Sequence, residues 1–203
     1  MPLARSETVV VGLHYQNENC HPDGKVRLGM AADAAEWRAQ TLAAAARLYA
    51  GARALGLPIV HVRLAVRPDY LDVEPNAPLY AEWERDGAWR EGTWGTEFLD
   101  GLQPLCHEFV VTHRRNNAFY GSNLQETLDR FRPWRLVLAG VSTAFAVESC
   151  ARHAADVGYR LMIAADACQA GERRQHEASL AVLARLGRVR RVDEILADLA
   201  AAI

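Results

Sequence analysis

Short, continuously apolar runs alternate with helix-like segments along the chain, and this alternation constrains the fold more than any other feature. The apolar runs of strand length are Thr8–Leu13, Pro58–Arg63, Phe109–Thr112, Arg135–Gly140 and Tyr159–Ala164. A strand that is apolar at every position is typical of a parallel sheet that is covered by helices on both faces. Right-handed crossovers between such strands predict an α/β fold: a three-layer α/β/α sandwich around a doubly wound, mainly parallel sheet.

Helix signals fill the intervals between these runs. Asp33 and Glu36 have the spacing of a capping box and open a helix predicted to reach about Leu55. Ser122 and Gln125 have the same spacing before a second helix. Further helices are predicted over about 143–157 and 172–186, followed by a short strand near 189–192 and a last helix. The pattern continues to the end of the chain without a linker, so we expect one domain over residues 1–203.

Composition excludes several classes of protein. Of the 203 residues, 50% are hydrophobic and 24% are charged, which is too apolar for a disordered chain. The formal net charge of −2 gives no attraction to nucleic acid or to an anionic membrane. The four cysteines form no CxxC pair and no zinc spacing, so we expect reduced thiols in a cytoplasmic protein. A strand-like run begins within the first ten residues, and we expect no signal peptide.

Residues 66–95 interrupt the alternation. This stretch holds three prolines and five aromatic residues, among them Trp83, Trp89 and Trp94. A loop this long inside a compact domain usually has a function, so we interpret it as a lid or an interface. The alternative is an irregular excursion that packs on the sheet.

Topology alone places a candidate site at one edge of the sheet. In open parallel sheets, ligands bind beyond the carboxyl ends of the strands. His14 follows the first strand and His113 follows the third. Gly140–Thr143 follows the fourth strand and leads into a helix, whose free N–H groups favour an anion. We therefore expect His14 and His113, at neighbouring strand ends, to share one pocket with this turn.

Four collinear segments give the chain a resemblance to a known family. They are VVVGLHYQNENC at 9–20, GTWGTEFLDGLQP at 92–104, VVTHRRNNAFYGSNL at 110–124 and LVLAGVSTAFAVESCARHAADVGYRLMIAADAC at 136–168. Together they resemble the motifs of the isochorismatase-like superfamily of cysteine hydrolases, which includes nicotinamidases, ureidoacrylate amidohydrolases and isochorismatases. The resemblance covers nearly the whole chain and implies the same three-layer fold.

The resemblance also implies a catalytic Asp, Lys and Cys, and this chain has none of the three. His14 stands at the Asp position, His113 at the Lys position and Ala146 at the Cys position. The one lysine of the chain, Lys25, lies in the loop after the first strand and does not align with the family's lysine. Because alanine has no nucleophilic atom, a thioester route through residue 146 is excluded.

The leading hypothesis is an enzyme that works without a covalent intermediate. In it His14 transfers a proton, near the usual histidine pKa of about 6–7, and His113 polarises or anchors the substrate. The substrate would be a small cyclic or unsaturated molecule that is hydrolysed, hydrated, eliminated or isomerised. The alternative is a pseudoenzyme, with a degenerate triad, that binds a ligand or a partner. Cys150, one helical turn after Ala146, is interpreted as a packing residue rather than a displaced nucleophile.

Further expectations come from the resemblance. The Val141–Ser142 peptide bond is expected to be cis and to aim backbone groups at the pocket as an oxyanion site. The substrate-binding residues are expected to be Asn19, Trp94, Asn117 and Phe119. We expect no cofactor and no metal, although His14 and His113 could share an ion if Glu148 or Asn19 supplied a third ligand. We also expect a cytoplasmic homodimer or homotetramer of specialised metabolism, with a small molecule as its ligand.

Overall fold

A six-stranded parallel sheet forms the centre of the protein. The structure, a computed structural model, describes residues 6–26 and 34–202. The sheet has the order β3-β2-β1-β4-β5-β6, and each pair of neighbouring strands is parallel. Its strands are β1 (Thr8–Leu13), β2 (Ile59–Leu64), β3 (Phe109–His113), β4 (Arg135–Val141), β5 (Arg160–Gln169) and β6 (Gly187–Arg190). The predicted doubly wound α/β sandwich is confirmed.

Helices cover both faces of the sheet. They are α1 (Asn17–Cys20), α2 (Ala34–Ala54), α3 (Pro78–Asp86), α4 (Leu124–Asp129), α5 (Glu148–Asp156), α6 (Arg173–Leu183) and α7 (Val192–Ala200). A π-helical turn, Thr143–Val147, leads directly into α5, and a 3₁₀ turn spans Trp94–Thr96. The capping box predicted at Asp33 lies outside the described residues. Within the described ranges, no helix is long and apolar enough to cross a membrane.

Two apolar clusters, one on each side of the sheet, hold the layers together. On one side, Leu48 of α2 and Ile195 of α7 are fully buried against β-strand residues such as Val10. On the other side, Leu128 of α4 and Ala151 of α5 pack in the second cluster. Burying one leucine or isoleucine side chain contributes about 1.5–3 kcal/mol, so the apolar strand residues stabilise both interfaces.

The last two strands differ in length or position from the prediction. β5 extends to Gln169, five residues beyond the predicted end at Ala164, because β4 resumes its pairing with β5 after an irregularity between Leu138 and Gly140. Gly140 has a φ of 154°, and a Cβ atom there would overlap the carbonyl oxygen of Leu13 on β1. The final strand is Gly187–Arg190 rather than about 189–192, since it pairs with Leu161–Ala164 of β5.

The excursion after β2 is a packed unit with its own apolar cluster. This cluster consists of Leu64, Val66, Tyr70, Val73, Trp83, Ala88 and Trp89, and all of these side chains are buried. Two arginines that follow β3 tie the unit down: Arg114 forms an ion pair with Asp72 at 2.5 Å, and Arg115 stacks on Tyr80 at 4.2 Å. The segment therefore packs on the carboxyl end of the sheet, and its role as a lid or an interface stays a prediction.

Candidate functional site

The two histidines of the candidate site meet across an intervening strand. The expectation that they follow neighbouring strands is wrong, because β2 lies between β1 and β3. His14 directly follows β1, and its backbone N–H donates to the carbonyl of Val62 on β2 at 3.0 Å. His113 is the last residue of β3 and is level with Leu64 of β2. Both side chains therefore reach over the carboxyl end of β2, where they touch.

His14 has an unusual backbone conformation. Its φ is 57°, in the left-handed region that non-glycine residues rarely adopt. Trp89, whose ring centroid lies 6.2 Å from that of His14, has a φ of 62°. Such residues often occur at functional sites, where the surrounding structure holds them in place. For His14 that support includes Gln16, whose side chain binds the backbone of Leu64 and Thr96.

The contact between the imidazoles requires a shared proton. The Nε2 atoms of His14 and His113 lie 2.5 Å apart, and the two ring planes are nearly parallel, at 21°, with their centroids at 4.7 Å. Two bare lone pairs would repel at this distance, so one nitrogen donates a hydrogen to the other. His14 is 4% exposed and His113 is fully buried.

Burial lowers the pKa of both histidines. The pKa of His14 lies well below its usual value because of burial and, next, because of His113, while a hydrogen bond to the backbone of Val141 opposes the shift. Burial lowers the pKa of His113 from 6.5 to about 4. The expectation of a titration near pH 6–7 is therefore wrong, since both rings are neutral throughout that range.

A small, mostly apolar cavity lies beside His14. We call it the histidine cavity; its volume is about 60 Å³. It is lined by His14, Asn19, Val26, Leu64, Leu79, Trp83, Trp89, Asn116, Val141, Ser142, Phe145 and Ala146. Phe145 is 45% exposed and so marks the outer rim. His113 is not among the lining residues and lies behind His14.

Three polar side-chain atoms of the lining residues have no hydrogen-bond partner within the described part of the chain. They are Oδ1 of Asn19, Nε1 of Trp89 and Oγ of Ser142. The other side-chain atom of Asn19, Nδ2, donates to the carbonyl of Val141 at 3.3 Å, which leaves Oδ1 as a free acceptor. Buried polar groups in native proteins are almost always paired with protein, water or a ligand. Residues of the lining thus carry one unpaired acceptor, one unpaired N–H donor and one unpaired hydroxyl.

The turn after β4 forms another part of the wall. The Val141–Ser142 peptide bond is cis, and Ala146 is buried with its methyl group on the cavity. The first N–H groups of the helix that starts at Thr143 have no preceding turn to accept them. Residue 146, where the resemblance leads us to expect the family's cysteine, contributes only a methyl group.

The cysteines nearest the site are buried thiols. Cys150 is 1% exposed, and its sulfur accepts the backbone N–H of Ala118 at 3.2 Å. Burial raises the pKa of Cys150 to about 12, and it raises the pKa values of Cys20 and Cys168 to about 12 as well. A thiol with such a pKa is protonated at neutral pH and is a poor nucleophile.

Three of the expected substrate-binding residues lie outside this wall. Trp94 is 47% exposed and borders a different surface groove, where it meets His21. Asn117 bonds to His153 at 3.3 Å, and the ring of Phe119 stacks on the same histidine. Asn19 does line the cavity. Asn116 and Trp89, which lie near the predicted Asn117 and Trp94 in the sequence, line it as well. The sequence analysis did not predict that Leu79, Trp83 and Trp89 line the cavity. The tryptophans of residues 66–95 were the sequence feature that could have indicated it.

The side-chain arrangement does not support a metal shared by the two histidines. Two nitrogens on one tetrahedral zinc ion lie about 3.3 Å apart, given bonds of about 2.0–2.1 Å, whereas His14 and His113 are in direct contact. Glu148 points elsewhere, because its oxygens bind Ser179 and Arg152. Residues 6–26 and 34–202 contain no group of three His, Cys, Asp or Glu that could hold an ion.

The doubly wound sheet with a site at the carboxyl ends of its central strands is the architecture of the isochorismatase-like cysteine hydrolase superfamily. A model of the isochorismatase domain matches residues 8–194, so the chain belongs to the isochorismatase family. The isochorismatase family protein YecD of Escherichia coli O157:H7 is 35% identical over 156 residues, which are 75% of this chain and 79% of YecD.

Other relatives agree with this assignment. Ureidoacrylate amidohydrolase RutB of Methylobacterium radiotolerans is 29% identical over 194 residues, 88% of this chain and 74% of RutB. Among solved structures, a cysteine hydrolase from Pseudomonas syringae pv. phaseolicola has a TM-score of 0.87. The match covers 100% of this chain and 97% of that one at 19% identity, which shows the shared fold.

Proposed function

We propose that the chain is a hydrolase or lyase that acts on a small cyclic or unsaturated molecule without a covalent cysteine intermediate, with His14 as its acid/base group. The observation that carries the proposal is the meeting of a neutral imidazole and three unpaired polar atoms in one cavity. Ala146 supports the absence of a covalent step, since no nucleophilic side-chain atom stands at that point of the wall.

His14 has the properties of a base. When the hydrogen between the two rings belongs to His14, Nδ1 of His14 accepts the substrate's proton, and the hydrogen between the two Nε2 atoms then shifts onto Nε2 of His113. The positive charge then spreads over two rings instead of one. His113 lies behind His14, so it is a positioning residue that holds the ring of His14 and shares its charge. This role replaces the predicted one, in which His113 anchors the substrate.

The unpaired atoms define the substrate chemistry. A carbonyl oxygen would accept from Nε1 of Trp89 and from the hydroxyl of Ser142, and an N–H or O–H group would donate to Oδ1 of Asn19. Amides, imides and enols present both kinds of group within a few atoms. A relative carries the name ureidoacrylate amidohydrolase, and a ureido group has both a carbonyl oxygen and N–H groups.

Cavity size limits the substrate further. The volume of the histidine cavity is about 60 Å³. Ligand pockets for larger molecules measure about 300–1,000 Å³. A substrate of more than a few heavy atoms therefore needs an outward shift of the wall. Because Leu79 and Trp83 come from α3, that helix is the element expected to move.

The experiment is a turnover screen followed by NMR on a panel of small cyclic imides, lactams, enol ethers and unsaturated amides. We expect wild-type protein to convert at least one compound. For that compound, Ser142→Ala should raise KM about tenfold, the loss of one or two hydrogen bonds. Ser6→Ala is the matched control, because the Ser6 hydroxyl bonds to the backbone of Thr8, far from the cavity, and should change nothing.

Two outcomes decide the proposal. If the wild type converts none of the panel but binds some compounds, and Ser142→Ala weakens that binding, the protein is a ligand-binding pseudoenzyme. If Ser142→Ala and Ser6→Ala behave alike toward a converted compound, the histidine cavity is not where that compound reacts.

A further inference from the structure

A second cavity lies on the α2 side of the sheet. We call it the arginine cavity; its volume is about 470 Å³, within the range of small-molecule sites. Its walls include Trp37 and Thr41 of α2, Arg173 and His176 of α6, and Asp166 of β5. Arg47 and Arg191 complete the charged lining. It is separate from the histidine cavity, although the Thr143 hydroxyl of the intervening turn bonds to Nδ1 of His176 at 2.8 Å.

The charge of this lining favours an anion. In the lining three arginines face one carboxylate, Asp166, and Arg47 also pairs with Asp193 at 3.4 Å outside it. His176 is neutral because burial, and next the charge of Arg173, lowers its pKa. Arg47 and Arg191 lie 3.7 Å and 3.5 Å from Asp166. Arg173 has no carboxylate within 4.0 Å in the described part of the chain, and its guanidinium lies 4.6 Å from the ring centre of Trp37. Its charge is therefore available to a ligand.

Thr41 provides a second, independent observation. The residue is 1% exposed, and its hydroxyl has no hydrogen-bond partner among residues 6–26 and 34–202. A threonine inside a helix commonly donates to the carbonyl four residues earlier, which here is that of Trp37, but Thr41 does not. An unpaired, buried hydroxyl costs about 1–3 kcal/mol, so its presence in a cavity wall points to a bound partner.

The carboxylate of Asp166 implies that the ligand also carries a hydrogen-bond donor. Its Oδ1 atom accepts the backbone N–H of Val192 at 2.8 Å. Among the residues that the structure describes, its Oδ2 atom has only the two long arginine contacts and no hydrogen bond. A bare anion would be repelled by this oxygen, whereas an anion that also has an O–H or N–H group would donate to it.

We propose that the arginine cavity is a second ligand site, which binds a small oxyanion that also carries a hydrogen-bond donor. The anionic oxygens lie against Arg173 and the Thr41 hydroxyl, and the donor faces Oδ2 of Asp166. Hydroxy acids, amino acids and hydrogen phosphate all have this combination of groups.

The test is isothermal titration calorimetry with sodium phosphate and sodium sulfate at pH 7 and matched ionic strength. Phosphate has an O–H donor at this pH and sulfate has none. We expect saturable 1:1 binding of phosphate and severalfold weaker binding of sulfate. Arg173→Gln should weaken phosphate binding about tenfold, the loss of one charged hydrogen bond. Arg174→Gln is the matched control, because Arg174 is the exposed neighbour outside the lining, and it should leave affinity unchanged.

Thr41→Val separates binding from stability. Valine has the shape of threonine without the hydroxyl, so removing an unpaired group should leave the thermal midpoint unchanged or raise it. Phosphate affinity should nevertheless fall severalfold. His14→Asn should bind phosphate like the wild type, since the two cavities are separate. The proposal is overturned if phosphate gives no saturable heat, if Arg174→Gln weakens binding as much as Arg173→Gln, or if sulfate binds as tightly as phosphate.

Discussion

The Nε2 atom of His14 lies 2.5 Å from the Nε2 atom of His113, although β2 separates β1, which ends just before His14, from β3, which ends at His113. The contact joins a residue on the wall of the histidine cavity to one that is fully buried behind it. Because both pKa values are lowered, the pair is neutral at pH 7 and shares one proton across the contact. This pair is the chemical centre of the proposed function.

Catalysis should persist well below the usual histidine range. A base works in its neutral form, and burial lowers the pKa of His113 to about 4 and that of His14 well below 6.5. We expect kcat/KM to stay level from pH 8 to below pH 6 and to fall only as the pair takes up a proton. The measurement is a pH–rate profile, with free imidazole as the reference titration. A midpoint at pH 6.5–7 would contradict the account.

Stability should fall in mild acid because of the same shifts. Above pH 6.5 the histidines are neutral in both the folded and the unfolded chain. Below it the unfolded chain takes up protons first, so the free energy of unfolding decreases as pH falls. His113 alone, with a pKa of about 4, should cost about 2 kcal/mol between pH 7.5 and pH 5. Urea unfolding at the two pH values measures the loss.

A control separates the histidines from the carboxylates. Burial raises the pKa of the Glu108 carboxyl, but hydrogen bonds from Arg53, the backbone of Leu105 and His61 lower it to about 2. Glu108 therefore affects stability only below about pH 4.5. His113→Asn should reduce the dependence between pH 7.5 and pH 5, and the lowered pKa values of His14, His61 and His176 account for the part that remains. Equal unfolding free energies of the wild type at the two pH values would show that the buried histidines are not held neutral.

Alkylation should distinguish one cysteine from three. Cys106 is exposed, whereas Cys20, Cys150 and Cys168 are buried with pKa values of about 12. Native protein treated with iodoacetamide should gain one adduct, at Cys106, and unfolded protein should gain four, as peptide mass spectrometry will show. Turnover should survive both the treatment and Cys150→Ala. Loss of turnover in folded Cys150→Ala protein would revive this thiol as a displaced nucleophile.

Restoring the family's cysteine should not restore its chemistry. In Ala146→Cys the new thiol lies beside a neutral His14, and the cavity wall has no cationic side chain to stabilise a thiolate. We expect no amidase activity above that of Ala146→Ser, which has a side chain of similar size. A working Ala146→Cys amidase would mean that His14 and His113 already replace the missing Asp and Lys.

The sequence was informative where local pattern decides structure. The apolar run of β1 fixes its burial on both faces, so it fixes the position of His14 at the carboxyl edge of the sheet. The family spacing likewise brought Ala146 and Ser142 to the turn after β4. The order of the strands in the sheet could not be predicted in the same way, since no local pattern shows that β2 lies between β1 and β3.

The cavity walls depend on tertiary packing that no local pattern encodes. Trp89 and Trp94 lie five residues apart in one aromatic stretch, but only Trp89 turns inward, in a left-handed backbone conformation. Phe119 and Asn117 follow the same strand as His113, yet they turn to His153. Position in the sequence therefore predicted correctly that the site lies at the carboxyl edge of the sheet. It did not predict the direction in which each side chain points.

The most direct test of the account compares His14→Asn with His113→Asn on a compound that the wild type converts. Asparagine stays polar but does not exchange a proton near neutral pH. For His14→Asn we expect kcat to fall about 10²–10⁴-fold while the Kd of the compound changes little, since general acid–base catalysis is worth about that much. His113→Asn should give a smaller loss of kcat and a changed pH profile, because the side chain of His113 affects the reaction only through its contact with His14. Unchanged kcat in folded His14→Asn protein, or a loss confined to Kd, would contradict the central claim that His14 moves the proton.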